Sequence, residues 1–147
     1  MKEPDSIATD LAARRTGMSF QRTRLSADRT LMSVIRTSLS LIGFGFTIYQ
    51  VFQKLYEAGT LKSARAPLHF GEALVILGIG MLVLGLAYHV AFMLQLRRLR
   101  AEMRREGLVH GESKFPVSMT MIVALALLAI GTLAIASMAY DVGPFGR

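Results

Sequence analysis

The amino-acid sequence predicts an all-α membrane protein of three transmembrane helices, and three observations carry that reading. The 147 residues are 52% hydrophobic, with a mean hydropathy of +0.44, above the roughly 45–50% apolar share of soluble domains. The apolar residues are clustered: Ala73 to Leu96 and Val117 to Tyr140 are two 24-residue stretches without Asp, Glu, Lys or Arg. At about 1.5 Å per residue, each crosses a hydrocarbon core of roughly 30 Å. A third apolar segment, Leu39 to Gln53, becomes long enough when extended back through Leu31 and on to Leu55. No stretch alternates with a period of two, so no strand is expected.

Taken in order, residues 1–18 read as a flexible N-terminus, with Gly17 interrupting a short amphipathic turn. The three-helix membrane domain then occupies 19–140. Its first helix starts near Ser19, a good N-cap residue type, and runs to about Tyr56, where Gly59 ends it. The linker Thr60 to His69 contains Pro67. The second helix starts near Phe70, crosses to Leu96 and projects beyond the span, with Arg98 and Glu102 as an i,i+4 pair. Gly107 and Gly111 mark its stop, and Pro116 suits the first turn of the third helix. The spans are placed at about 31–56, 72–96 and 117–140, and 141–147 is a short exit tail.

Charge orients the chain. Residues 1–38 hold seven Lys or Arg, the first loop (54–72) three, the second loop (97–114) six and the tail only Arg147. The positive-inside rule puts the N-terminus and second loop in the cytoplasm and the C-terminus outside, with the long first helix extending into the cytoplasm. The net charge of +7 thus concentrates on one face, where it meets anionic headgroups. Residues 1–30 are polar and lack the apolar core of a signal peptide, so the first span is expected to serve as an uncleaved anchor.

The most informative pattern is a repeat. Arg22-Thr23-Arg24-Leu25-Ser26, Arg29-Thr30-Leu31-Met32-Ser33 and Arg36-Thr37-Ser38-Leu39-Ser40 are three copies of Arg-Thr-x-(Leu/Met)-Ser spaced by seven. A seven-residue period keeps each position on one helix stripe, drifting by about 20° per heptad. Beyond Arg22, Arg29 and Arg36 that register meets Gly43 and Gln50, and the phase of Ser26, Ser33 and Ser40 continues through Thr47 to Lys54. One polar stripe therefore runs the length of the first helix. The face carrying Leu31, Val34, Ile35, Leu41, Ile42 and Ile48 suits lipid or apolar helix packing. Two explanations stand for the stripe. Small polar residues let helices approach and hydrogen-bond, or the stripe lines an aqueous or anion path between several copies. Repeated guanidinium groups match phosphate through bidentate forks. Asp28 has Arg24 as an i,i+4 partner on the same helix.

Gly71, Gly78 and Gly85 repeat the seven-residue spacing on the second helix, and Gly131 lies in the alanine-rich third; Gly78, Gly85 and Gly131 are read as helix-packing positions. His89 is the one titratable side chain within the second span besides Glu72 at its edge and the phenol of Tyr88. It has no ligand-type neighbour at i,i+3 or i,i+4 and reads as a hydrogen-bonded structural histidine. His69 and Glu72 read as a helix cap. There is no Cys, no phosphate-binding glycine loop and no arrangement of catalytic or metal-ligating residues. No enzyme activity, cofactor, metal or nucleic-acid partner is expected.

The run from Arg22 to Phe46 resembles the YidH-like bacterial inner-membrane family, a domain of unknown function with an R-T-x-L-A-x-x-R-T-x-L-x-x-x-R-T-x-L pattern. Ser stands at 26, 33 and 40, where that pattern commonly has Ala. The family is similar to the membrane domain of the eukaryotic vacuolar transporter chaperone. The resemblance implies three helices in a bacterial inner membrane and, by analogy with the chaperone, several copies around an axis with Arg22, Arg29 and Arg36 facing a polyphosphate path. The chain has no room for the chaperone's polymerase domain, so synthesis is not implied. The expected function is a small oligomeric membrane protein handling an anion such as polyphosphate. The alternative is a non-catalytic accessory subunit packed beside a larger membrane complex or anionic lipids.

Overall fold

A computed structural model describes residues 4–105 and 118–140, and these form three helices: α1 (Pro4–Glu57), α2 (Arg65–Arg105) and α3 (Met119–Tyr140). Among the described residues there is no strand. Each helix contains a segment long and apolar enough to cross a membrane, so the chain is a multi-pass membrane protein. At about 1.5 Å per residue, α1 is roughly 80 Å long and α2 roughly 60 Å, whereas α3 is close to the 30 Å of a hydrocarbon core. The first two helices form the main contact and α3 packs on both. α1 and α2 thus outrun the three-helix part as a two-helix extension.

α1 begins at Pro4, well before Ser19, and takes in most of the stretch expected to be flexible. Proline is favoured at a first helical position, because its missing N–H has no intrahelical partner there. Gly17 costs about 1 kcal/mol in a helix interior, but Ala13 and Phe20 on either side of it are buried, and that packing carries the helix through. Ser19 is not a cap: its hydroxyl donates back to the Thr16 carbonyl at 2.8 Å. The other end is as expected in residue and specific in geometry. Gly59 takes φ 71°, its N–H reaches the Tyr56 carbonyl at 3.0 Å, and Thr60 N–H reaches Leu55 at 3.0 Å. This is a Schellman closure, which needs a residue that tolerates the left-handed region.

α2 begins at Arg65, five residues before Phe70, with Pro67 inside the first turn, where a missing N–H leaves no bond unmade. It returns antiparallel to α1. A Cβ on Gly71 would lie 2.7 Å from the Gly45 carbonyl oxygen, one on Gly78 would lie 2.8 Å from Ile42 Cγ1, and one on Gly85 would lie 2.6 Å from Val34 Cγ1. On α1 the inner seam runs through Leu31, Ile35, Ser38, Ile42, Gly45 and Tyr49, alternating steps of four and three. All are buried except Tyr49, which is half-buried. That spacing is the left-handed coiled-coil register. The apolar core is completed by Val75, Leu82, Ala124, Leu127 and Met138. Leu31, Ile35 and Ile42 therefore face their own bundle rather than lipid.

α3 is tied to α1 at both ends. Ser118 precedes its first turn and donates its hydroxyl to Asp28 Oδ1 at 2.9 Å. Near the other end the Tyr49 hydroxyl donates to the Met138 carbonyl at 3.0 Å, one of the last four carbonyls that a helix leaves without an internal donor. The expected helix stop at Gly107 and Gly111, the start at Pro116 and the tail 141–147 lie outside the described residues.

Candidate functional site

The polar stripe lies on the outer side of α1. Arg22, Arg29 and Arg36 are exposed, as are Ser26, Ser33, Ser40, Gly43, Thr47 and Lys54; Gln50 is half-buried. An added Cβ on Gly43 would meet nothing within 4 Å, so the stripe is flat at that point. Successive arginines are separated by about 10 Å along the axis, seven residues at 1.5 Å each. The helix packs on α2 through the inner seam and leaves the arginines exposed, while Ser26 borders a cleft that faces α2.

The threonine hydroxyls beside the arginines, and that of Ser40, are internally satisfied. Thr23 donates to Ser19 O at 2.9 Å, Thr30 to Ser26 O at 3.1 Å and Thr37 to Ser33 O at 3.1 Å. Ser40 donates to Arg36 O at 3.0 Å and Thr47 to Gly43 O at 2.8 Å. Such i−4 back-bonds remove the penalty of an unpaired hydroxyl in an apolar medium. The arginines have no such outlet. Among the described residues, none of Arg22, Arg29 and Arg36 takes part in an ion pair.

A fourth copy of the repeat precedes the three. Arg15-Thr16-Gly17-Met18-Ser19 fits Arg-Thr-x-(Leu/Met)-Ser in the same register, and the unbroken helix puts Arg15 in line with Arg22. Thr16 back-bonds to Ala12 O at 3.0 Å, as the later threonines do. Reading Gly17 as a helix break hides this copy, although the spacing alone reveals it.

A second polar centre joins all three helices. Asp28 of α1 accepts from Ser118, and its Oδ1 also lies 3.5 Å from Nε2 of His89 on α2. The His89 side chain is only 4% exposed. Asp28 thus reaches across the bundle as well as sharing a helix face with Arg24. Its carboxylate sits at the N-terminal end of α3, where exposed N–H groups and the helix dipole favour negative charge. His89 Nδ1 and Ser38 Oγ are buried without a hydrogen-bond partner among the described residues. Beside His89, a cleft of about 230 Å³ opens between α1 and α2, lined by Thr23, Ser26, Thr30, Gly85, Tyr88 and Phe92 among others. The Tyr88 and Phe92 rings stack with centroids 6.4 Å apart.

The remaining positions are packing or surface. An added Cβ on Gly131 would lie 3.1 Å from Ile79 Cγ1, so α3 approaches α2 closely there. His69 Nδ1 lies 3.5 Å from Glu72 Oε2 at the start of α2, well exposed. Among the described residues no group of three or more His, Asp or Glu is placed to hold a metal ion.

The model of a family described as a domain of unknown function (DUF202) matches residues 22–105, which is more than half of the chain. The match takes in the three arginine repeats, the linker and all of α2 but no part of α3. Comparison with curated proteins and with solved structures gives no match.

Proposed function

We infer that this chain, which belongs to the DUF202 family, is a membrane subunit whose copies meet along the outer side of α1 and handle an anion there, polyphosphate being the substrate class its arginine spacing suits. The observation that supports this is the outward direction of the stripe. Four repeat units of arginine and hydroxyl face away from the bundle that α1 itself packs into. An arginine at the centre of a lone membrane helix costs about 2.5–3.5 kcal/mol. Arg36 lies where the apolar segment starts and reaches the headgroup layer by snorkelling. Snorkelling accounts for one arginine and not for a shared phase. Guanidinium groups in one line fit an anion with repeated negative charge, each binding oxygens in a fork. On this reading the N-terminus and second loop face the cytoplasm of a bacterial cell and the C-terminus lies outside the inner membrane, as the charge distribution favours.

An accessory role is favoured by a different observation. Satisfied hydroxyls and a flat Gly43 suit close packing of a foreign helix against α1. Reconstitution separates the two. In liposomes of the purified chain alone, flux of phosphate or short polyphosphate that is lost in an Arg29→Ala/Arg36→Ala variant is the expected result. Flux that the double variant leaves unchanged, or no flux at all, sinks the anion path and leaves the accessory role.

A further inference from the structure

The outer side of α1 carries more than arginines. Leu11, Met18, Leu25, Met32 and Leu39 also repeat every seven residues, and all five are exposed. Each arginine of the series Arg15, Arg22, Arg29 and Arg36 falls four residues after one of them and three before the next. Apolar and cationic residues therefore alternate in steps of four and three, the register of a coiled-coil seam. This outer seam is offset by one residue from the inner seam that holds α2, so it lies about 100° around the helix. Its first half, Leu11 to Leu25, precedes the apolar segment of α1, so lipid tails do not account for the exposed leucines there.

We propose that this outer seam pairs with the same seam of a second copy, and that the pairing requires a phosphate-type anion between the facing arginines. The proposal rests on the inference above that copies meet along α1. A membrane fixes the direction and depth of each chain, so two copies present α1 parallel and in register over this whole length. Leu11, Met18 and Leu25 then meet their own counterparts and bury the apolar row. The same register sets Arg15 against Arg15 and Arg22 against Arg22. None of the four arginines takes part in an ion pair among the described residues, so each layer brings together unneutralised positive charge, which opposes assembly. An anion bound in forks by both guanidinium groups reverses the sign of that layer. Assembly and anion binding are then one linked equilibrium: the anion that the seam carries is also what closes it. A chain of phosphates bridges successive layers and gains more than free phosphate does.

The chain has no cysteine, which makes the test direct. Leu25→Cys puts one thiol per copy on the seam, and Leu99→Cys, exposed on α2, puts one off it. Each full-length variant is placed in nanodiscs of zwitterionic lipid, oxidised mildly, and scored for disulfide-linked dimer with no anion, inorganic phosphate or short-chain polyphosphate; a parallel set uses phosphatidylglycerol nanodiscs. The expected result is a several-fold rise in the Leu25→Cys dimer with polyphosphate, less with phosphate, and no anion response for Leu99→Cys. A rise in phosphatidylglycerol without added anion identifies the headgroup as the bridging phosphate. Adding Arg22→Ser and Arg29→Ser to Leu25→Cys should give dimer without any anion. Equal dimer with and without every anion overturns the linkage and leaves the shared axis standing. Several copies per nanodisc by mass with no Leu25→Cys dimer overturns this seam alone, and a single copy by mass under all conditions overturns both it and the function inferred above.

Discussion

Asp28 and His89 are 61 residues apart in the chain, and in the fold His89 Nε2 lies 3.5 Å from Asp28 Oδ1 at the point where α3 begins. The same carboxylate oxygen accepts the Ser118 hydroxyl at 2.9 Å. One side chain thus links the three helices. Ser118→Ala should lower stability by about 1–2 kcal/mol, the range for a hydrogen bond to a charged group moderated by membrane surroundings. In an Asp28→Asn background the same substitution should have a clearly smaller effect. Unfolding titrations of the four proteins in mild detergent measure the coupling, and additive effects would show that the bond contributes nothing.

At the other end α1 and α2 meet backbone to backbone. A Cβ on Gly45 would be 2.6 Å from the Gly71 carbonyl oxygen, and one on Gly71 would be 2.7 Å from that of Gly45. Backbone atoms cannot rotate aside as a side chain does, so the helices must separate. Gly71→Ala should destabilise by about 1–3 kcal/mol, as overpacking does. Gly80→Ala, which meets nothing within 4 Å, should leave thermal stability unchanged or raised. Equal melting temperatures for the two variants would contradict this arrangement.

Tyr49→Phe removes the donor to the Met138 carbonyl and keeps the ring. The loss expected is about 0.6 kcal/mol and at most about 2, the span of hydrogen bonds between membrane helices. Because the freed carbonyl is in the last turn of α3, faster hydrogen exchange should be confined to that end of the bundle. Exchange that rises along the whole of α3 would show that Tyr49 matters through packing instead.

The arginines should separate function from stability. Arg29 and Arg36 are exposed and take part in no ion pair among the described residues. Replacing both with Ala should shift unfolding by no more than about 0.5 kcal/mol per site. Binding of polyphosphate should fall, and its dependence on salt should become shallower as positive charges are removed from the contact. A large stability loss in this variant would place the arginines in the structure rather than in anion handling.

Much of the fold was legible in the chain. Three apolar stretches give three helices, because length and the absence of charge are local properties that a membrane reads directly. The heptad repeat gives the stripe for the same reason, since one helix suffices to align it. The start of the first helix and the partner of Asp28 were not legible. Gly17 and Ser19 look like a break and a cap by residue type, yet burial of Ala13 and Phe20 overrides them. That burial depends on neighbours the local sequence does not name. Asp28 has a nearby partner in Arg24 by spacing, while Ser118 is 90 residues away, beyond any helical periodicity.

By itself, then, the sequence determined the number of helices, the polar stripe and its seven-residue period, all of which follow from side-chain spacing along a single regular helix. Tertiary structure decided which side of α1 is used within the bundle. The inner seam won because Gly71, Gly78 and Gly85 let α2 come close to it and bury its apolar residues. The arginine-bearing side was left outward, where no side chain of α2 or α3 neutralises Arg22, Arg29 or Arg36 among the described residues.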